Sequence, residues 1–98
     1  MLFIKGNVDF YNSQIEDLGN LKKIRGWFVN FSNSKIKTLG NLEEIVWDAD
    51  FYNSQVEDLG NLKRIGGRCI VNRNNKKLIN LLKERGITNI VDEEGNKL

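Results

Sequence analysis

Apolar and polar positions along this chain follow two rhythms, and both of them return at a fixed interval. Val8 and Phe10, Val29 and Phe31, Ala49 and Phe51, and Cys69 and Val71 are each separated by a single residue. That is the period of a short strand with one buried face, so four short strands are predicted. Behind each pair a second rhythm follows, with apolar residues at every third position: Ile15, Leu18, Leu21, Ile24, then Ile36, Leu39, Leu42, Ile45, then Val56, Leu59, Leu62, Ile65. A spacing of three suits 3₁₀-like or extended turns better than a 3.6-residue helix, which predicts a compact, irregular return path between strands.

The two rhythms belong to one repeating unit. Leu18-Gly19-Asn20-Leu21 returns as Leu39-Gly40-Asn41-Leu42 and Leu59-Gly60-Asn61-Leu62, at spacings of 21 and 20, and Asn12-Ser13, Asn33-Ser34 and Asn53-Ser54 keep step with it. No single unit of this size buries its own apolar face. The units are therefore expected to stack, strand beside parallel strand, as an α/β solenoid of about four 20- to 21-residue units around one apolar column.

The pattern Phe10-x-x-Ser13-x-Ile15, repeated as Phe31-x-x-Ser34-x-Ile36 and Phe51-x-x-Ser54-x-Val56, resembles the second half of the leucine-rich repeat. Within that class it is most similar to receptor L-domain-type and short bacterial repeats. The resemblance spans roughly residues 4–75 and implies a parallel-stranded binding scaffold, a fold that carries many unrelated partners. Serine stands where the family has its ladder asparagine. Asn12, Asn33 and Asn53, one place earlier, are the candidates to take over its task of satisfying backbone groups.

The repeat fades after residue 75. A 3.6-type pattern over residues 76–85, with Leu78, Ile79 and Leu82 on one face, Asn74 or Asn75 as cap and Gly86 as stop, predicts a closing helix. Ile87, Ile90 and Val91 would supply a final short strand, and residues 92–96 a polar turn or frayed tail. The whole is read as one domain, residues 1–75 repeats and 76–98 a C-terminal cap, with a poorly capped N-terminal end. Around Phe3 and Val8 that end offers strand edges on which a second copy could pair to form a homodimer.

Composition narrows the chemistry. Histidine is absent, there is one cysteine, and no glycine-rich phosphate loop follows a strand, so the usual zinc sets and Ser-His or Cys-His nucleophile pairs have no members here. A non-enzyme is expected, with no cofactor and no metal. Cys69 takes the column of Val8, Val29 and Ala49 and reads as a core residue. An apolar start only four residues long excludes a signal-peptide core or a membrane span within it, and an unpaired cysteine suits a reducing, cytoplasmic setting. The abundance of Asn, Lys and Ile matches AT-rich coding, common in bacteria and phages.

Charge divides unevenly. Stacked units bring Glu16-Asp17 over Lys37-Thr38 over Glu57-Asp58, and Lys22-Lys23 over Glu43-Glu44 over Lys63-Arg64, so the signs alternate as in a solvated ladder that sets register. Arg64, Arg68, Arg73, Lys76 and Lys77 fall within fourteen residues with no acid among them, a basic end able to contact nucleic acid. On the outward side of the strands Asp9 and Asp50 share one column, and Tyr11 and Tyr52 the next; tyrosines among aspartates suit a protein-recognition stripe or simply cover the sheet.

Trp27, Phe28 and Trp47 precede the second and third strands, where neighbouring units have Gly6-Asn7 and Gly67-Arg68. The second unit also holds one extra residue, so a bulge near Gly26-Trp27 is expected to push an aromatic outward, the alternative being rings that fill a groove between units. The leading expectation is a non-catalytic protein-interaction module, in concrete form a small phage or bacterial inhibitor of a host or defence protein. It would dock through Asp9, Tyr11, Trp27, Phe28, Trp47, Asp50 and Tyr52, with nucleic-acid binding through the basic end as the alternative.

Overall fold

The structure, a computed structural model, describes residues 2–4 as backbone and residues 6–98 with their side chains. Among the described residues, nine short strands and one helix follow in order: β1 Leu2–Ile4, β2 Val8–Asp9, β3 Leu21–Ile24, β4 Phe28–Asn30, β5 Glu44–Ile45, β6 Asp48–Asp50, β7 Arg64–Ile65, β8 Cys69–Ile70, α1 Lys76–Glu84 and β9 Ile90–Val91. They form two sheets, ordered β1-β3-β5-β7 and β2-β4-β6-β8-β9, in which neighbouring strands are parallel.

The alternating rhythm produces the second of these sheets. Val8, Val29, Ala49 and Cys69 align in one column and Ile90 of the cap extends it, while Asp9, Asn30, Asp50, Ile70 and Val91 align in the next. The first sheet corrects the expectation of an irregular return path. Ile4, Ile24, Ile45 and Ile65 are in register along it, so the end of each every-third-residue run is itself a strand.

Turns explain why period three concealed a strand. The amide of Leu42 donates to the carbonyl of Leu39 at 2.9 Å, and Leu62 to Leu59 at 3.0 Å, closing turns around Gly40 and Gly60. A turn brings residues i and i+3 together, so both apolar flanks face the core without any helical path. At the other corner Ser34 donates to Phe31 at 3.2 Å and Ser54 to Phe51 at 3.0 Å. Here Asn12, Asn33 and Asn53 occupy the left-handed region, with φ of 57°, 55° and 54°.

That conformation, which asparagine tolerates better than most residues, is what the asparagine of each unit supplies. The expected ladder task is therefore corrected: among the described residues, none of the three asparagine side chains is hydrogen-bonded to a backbone group. Only the last of the column joins its neighbour side chain to side chain, Asn72 Nδ2 donating to Asn53 Oδ1 at 2.9 Å.

Both corners are fastened by a side chain two residues upstream. Asp9, Asn30 and Asp50 accept from the amides of Tyr11, Ser32 and Tyr52 at 2.8 to 2.9 Å. Asp17, Thr38 and Asp58 accept from the amides of Gly19, Gly40 and Gly60 at 2.8 to 3.1 Å. Short polar side chains that mimic a backbone turn account for most of the acid in these columns. The alternating ladder is present where the first sheet runs: Glu44 sits between Lys23 at 2.8 Å and Arg64 at 2.5 Å, and Lys22 lies 3.8 Å from Glu43. The hydrogen bond from Lys23, together with the hydrogen bond and charge of Arg64, outweighs the upward push of burial and holds the Glu44 carboxyl below its ordinary range.

The core runs between the sheets. Phe10, Phe31 and Phe51 stack face to face, with ring centroids 5.5 and 5.1 Å apart, because in-register parallel pairing sets equivalent side chains one strand spacing apart. The column is closed at its C-terminal end by a helix. Helix α1 buries Leu78, Ile79 and Leu82, is capped by the Asn75 side chain accepting from the Leu78 amide at 3.3 Å, and stops at Gly86, whose φ is 81°. Arg85 at its C-terminus donates to the carbonyls of Leu62 and Gly60 at 2.5 and 2.9 Å, satisfying backbone groups of the last unit. At the opposite end Ile15 is 48% exposed, whereas Ile36 and Val56 in the same column are 0% and 5% exposed. Val8 is half-buried in an edge strand, and the side chain of Phe3 lies outside the described residues.

The C-terminal segment is not frayed. The Leu98 amide donates to the Ile90 carbonyl at 2.9 Å, Lys97 bridges back to Val91, and Asp92 is buried at the turn. Its carboxylate accepts from the amides of Glu94 and Asn96, each at 2.9 Å, and from Arg73 at 2.8 Å. Burial pushes the carboxyl up, but the hydrogen bonds from Asn96 and Glu94 and the Arg73 charge together outweigh it, and the net direction is down.

A carboxyl with a lowered folded pKa stabilises above its ordinary range, and that contribution is lost as pH falls through the folded value. Asp92→Asn should therefore lower the urea midpoint at neutral pH. The gap from wild type should close below the ordinary aspartate pKa of about 3.9. A gap that persists unchanged into strong acid would show that the charge of Asp92 has no part in holding the tail.

Candidate docking face

The same registration that stacks phenylalanines inside stacks tryptophans outside. Trp27 and Trp47 stand at the corner leading into β4 and β6, with ring centroids 5.4 Å apart and planes 15° from parallel. Trp27 is 74% exposed and Trp47 46%. The two sequence alternatives thus resolve together, since the rings pack on each other and both face solvent.

The extra residue of the second unit lies where the sequence placed it. Ile4 pairs with Ile24 but Val8 with Val29, so one residue is inserted between Ile24 and Val29. Gly26 absorbs it. A Cβ there would overlap the Gly6 carbonyl and come within 2.7 Å of the Asn7 nitrogen, so only glycine lets the two backbones pass. Asn7 then accepts from the Phe28 amide at 3.2 Å, tying the corner of the second unit to the first.

Around the tryptophans the outward positions of the second sheet are mixed. Phe28 is half-buried and in register with Asp48, which accepts from the Arg68 amide at 2.7 Å and pairs with the Arg68 guanidinium at 3.3 Å. Tyr11 is 52% exposed and Tyr52 half-buried. They follow the far ends of the strands, about 16 Å from the tryptophan corner at strand rise, and lie two units apart with Ser32 between them. Of the seven residues named from the sequence, Asp9, Phe28 and Asp50 share the outward side of the second sheet, Trp27 and Trp47 stand exposed at the corner before it, and Tyr11 and Tyr52 follow its far ends, so the aromatics form two groups rather than one stripe. Asp9 and Asp50 each commit one carboxylate oxygen to a turn amide, a structural task that sequence columns do not reveal.

The basic end does not hold together as one patch. Arg64 pairs with Glu44, Arg68 with Asp48, and Arg73 with Asp92 and Glu94 at 2.8 and 3.3 Å. Arg73 and Lys76 line one cleft with Asp92, Asn96 and Lys97, Arg64 a second with Glu43 and Glu44, and Lys77 a third with Lys37 and Glu57. Acids absent from the local sequence arrive from neighbouring units about 20 residues away.

Cys69 is fully buried, and burial together with the Asp50 charge pushes its thiol far above the ordinary range, so it stays protonated. Among the described residues, no helix is long and apolar enough to cross a membrane, and no three His, Cys, Asp or Glu side chains gather as a metal cluster. Compared with protein-family models, curated proteins and solved structures, the chain matches none.

Proposed function

We propose that this chain is a non-catalytic docking module, a short solenoid of leucine-rich-repeat type that binds a protein partner through the outer side of its second sheet. Two features support the solenoid reading: units of 20 to 21 residues pair strand by strand in register, and a helix closes one end. The kinship is loose. Each unit contributes strands to two sheets, and the hydroxyls of Ser13, Ser34 and Ser54, at the family's asparagine position, are buried without a hydrogen-bond partner among the described residues.

The observation that carries the docking reading is the exposed Trp27-Trp47 stack. Scattered exposed apolar side chains are ordinary, but two stacked indoles form a rigid, preorganised apolar surface, and tryptophan is enriched among the residues that dominate binding energy. Electrostatics favours protein over nucleic acid as partner. Asp9 and Asp50 align on the outer side of the second sheet and repel phosphate there, while three of the five basic-end residues are already paired to carboxylates.

The test begins with recovery of the partner from the native cell on the immobilised protein. Its affinity is then measured for Trp27→Ala and Trp47→Ala, after confirming an unchanged melt. Each is expected to weaken binding by about 30-fold, the effect of losing a hot-spot aromatic. Undiminished affinity in both variants would sink the docking reading.

A further inference from the structure

Strand β9 is the last of the second sheet, and its outer edge is covered by the chain itself. The chain turns at residues 92–96 and returns antiparallel, so that Lys97 lies across from Val91. Two backbone bonds join this strap to β9: the Leu98 amide donates to the Ile90 carbonyl and the Asp92 amide to the Asn96 carbonyl, both at 2.9 Å. Leu98 packs against the core but is only half-buried. A hairpin so short is marginal without support, and its turn is clasped by one side chain. Asp92 is buried, with one carboxylate oxygen accepting from the amides of Glu94 and Asn96, and the other from Arg73 at 2.8 Å and the Asn96 side chain at 3.4 Å.

Beneath the strap, β9 is self-complementary. The Val91 carbonyl accepts from the Val71 amide at 2.9 Å on the β8 side, and the alternation of a strand then turns the Ile90 carbonyl and the Asp92 amide outward, where the strap meets them. A second β9, laid antiparallel about a two-fold axis at Val91, presents the same two groups at the same spacing. Each Asp92 amide then meets the other copy's Ile90 carbonyl, which replaces both strap bonds.

We infer that residues 92–98 are a strap whose release joins two copies of this chain through β9 as a symmetric dimer, and that the Asp92 clasp sets how often the strap opens. The strap itself shows that a strand fits against this edge. Side chains favour a second copy among strand partners: the two-fold sets Val91 against Val91 in the close pair of an antiparallel ladder, apolar on apolar, with no charge at that position. An uncovered strand edge is a ready template for such pairing.

The test is made on the full chain at neutral pH. Wild type is expected to sediment as a monomer, and Asp92→Ala to dimerise with an association constant about tenfold or more higher, as the open fraction rises. Asp92→Asn, which keeps an oxygen for the two turn amides, should fall between them. Amide hydrogen exchange at low concentration reports the opening itself: in Asp92→Ala the amides of residue 92 and Leu98 should lose protection while those of Phe31 and Phe51 keep theirs. In wild type the same two amides should already exchange well before Phe31 and Phe51, which judges the strap even where Asp92→Ala does not fold. Val91→Cys combined with Asp92→Ala should give a disulfide-linked dimer on mild oxidation, because a close antiparallel pair lies within disulfide reach. Cys69 is buried and takes no part.

A monomeric Asp92→Ala, dimerisation as strong in wild type, wild-type protection at Asp92 and Leu98 equal to that at Phe31, protection lost evenly along the chain, or a dimer that does not cross-link through position 91 would each overturn the inference. The last outcome includes an exchange of straps between copies, which sets residue 91 against residue 97 instead. None of these results bears on the tryptophan corner, so the docking reading stands or falls separately.

Discussion

Phe31→Ala is expected to lower stability by about 3 to 5 kcal/mol, the cost of emptying a large aromatic from a packed core. Phe31 is fully buried and stacks on Phe10 at 5.5 Å and on Phe51 at 5.1 Å, so the variant loses contacts in both directions along the column. Each ring pair adds about 0.5 to 1.5 kcal/mol beyond area burial. In a stack of units, stability resides in the interfaces between neighbours, and a hole in a middle unit weakens two of them. Against a total of about 5 to 15 kcal/mol for a domain, the loss is large.

At roughly 4 to 8 °C per kcal/mol for a chain of this size, the melt should fall by on the order of 20 °C. Urea or thermal unfolding followed by circular dichroism measures it. Phe10→Ala should cost much less, because Phe10 is only half-buried and, among the described residues, stacks on Phe31 alone. Equal losses for the two variants would show that the N-terminal unit is as well covered as the middle one.

Gly60→Ala and Gly40→Ala should differ although motif and backbone angle are nearly the same. Both glycines are left-handed, with φ of 54° and 52°, and placing an L-residue there costs about 1 to 2 kcal/mol. At Gly40 a Cβ would meet nothing within 4 Å. At Gly60 it would overlap the Gly40 carbonyl and lie 2.7 Å from the Gly40 nitrogen, which forces two backbones apart.

The hydrogen bonds show why. Asn61 donates its backbone amide directly to the Gly40 carbonyl at 2.9 Å, while one unit earlier the longer side chain of Asn41 spans to the Gly19 carbonyl at 3.1 Å. Overpacking typically adds about 1 to 3 kcal/mol, so Gly60→Ala should cost about 3 kcal/mol in all and Gly40→Ala about 1. Chemical denaturation of the two variants decides it. Matching midpoints would mean that conformational strain alone governs both positions and that the close approach relaxes freely.

Much of the candidate site was legible in the chain. Trp27 and Trp47 stood out because the unit places no aromatic there elsewhere, and counting residues between Ile24 and Phe31 located the inserted one. Their exposure was not legible, because it depends on how the second and third units pair and bring the two rings together at one corner. The pairing of Arg64, Arg68 and Arg73 escaped for a related reason: their carboxylates lie 19 to 21 residues away, so a scan of one segment finds five cations and no acid. Asp92 and Arg85, which close the C-terminal end, belong to no repeat and leave no periodic mark.

By itself the sequence determined the repeat, the strands of the second sheet, the buried columns and the closing helix, expected over residues 76–85 and found at Lys76–Glu84. These follow from local periodicity and cap chemistry, which operate within a few residues and are written in one stretch of chain. Tertiary structure alone decided that the every-third-residue runs end in a second parallel sheet, that each unit's Asn holds a left-handed corner, and that two indoles stack in the open. Strand pairing, ring stacking and ion pairing here join residues one unit apart, so each depends on what the neighbouring unit places across the gap.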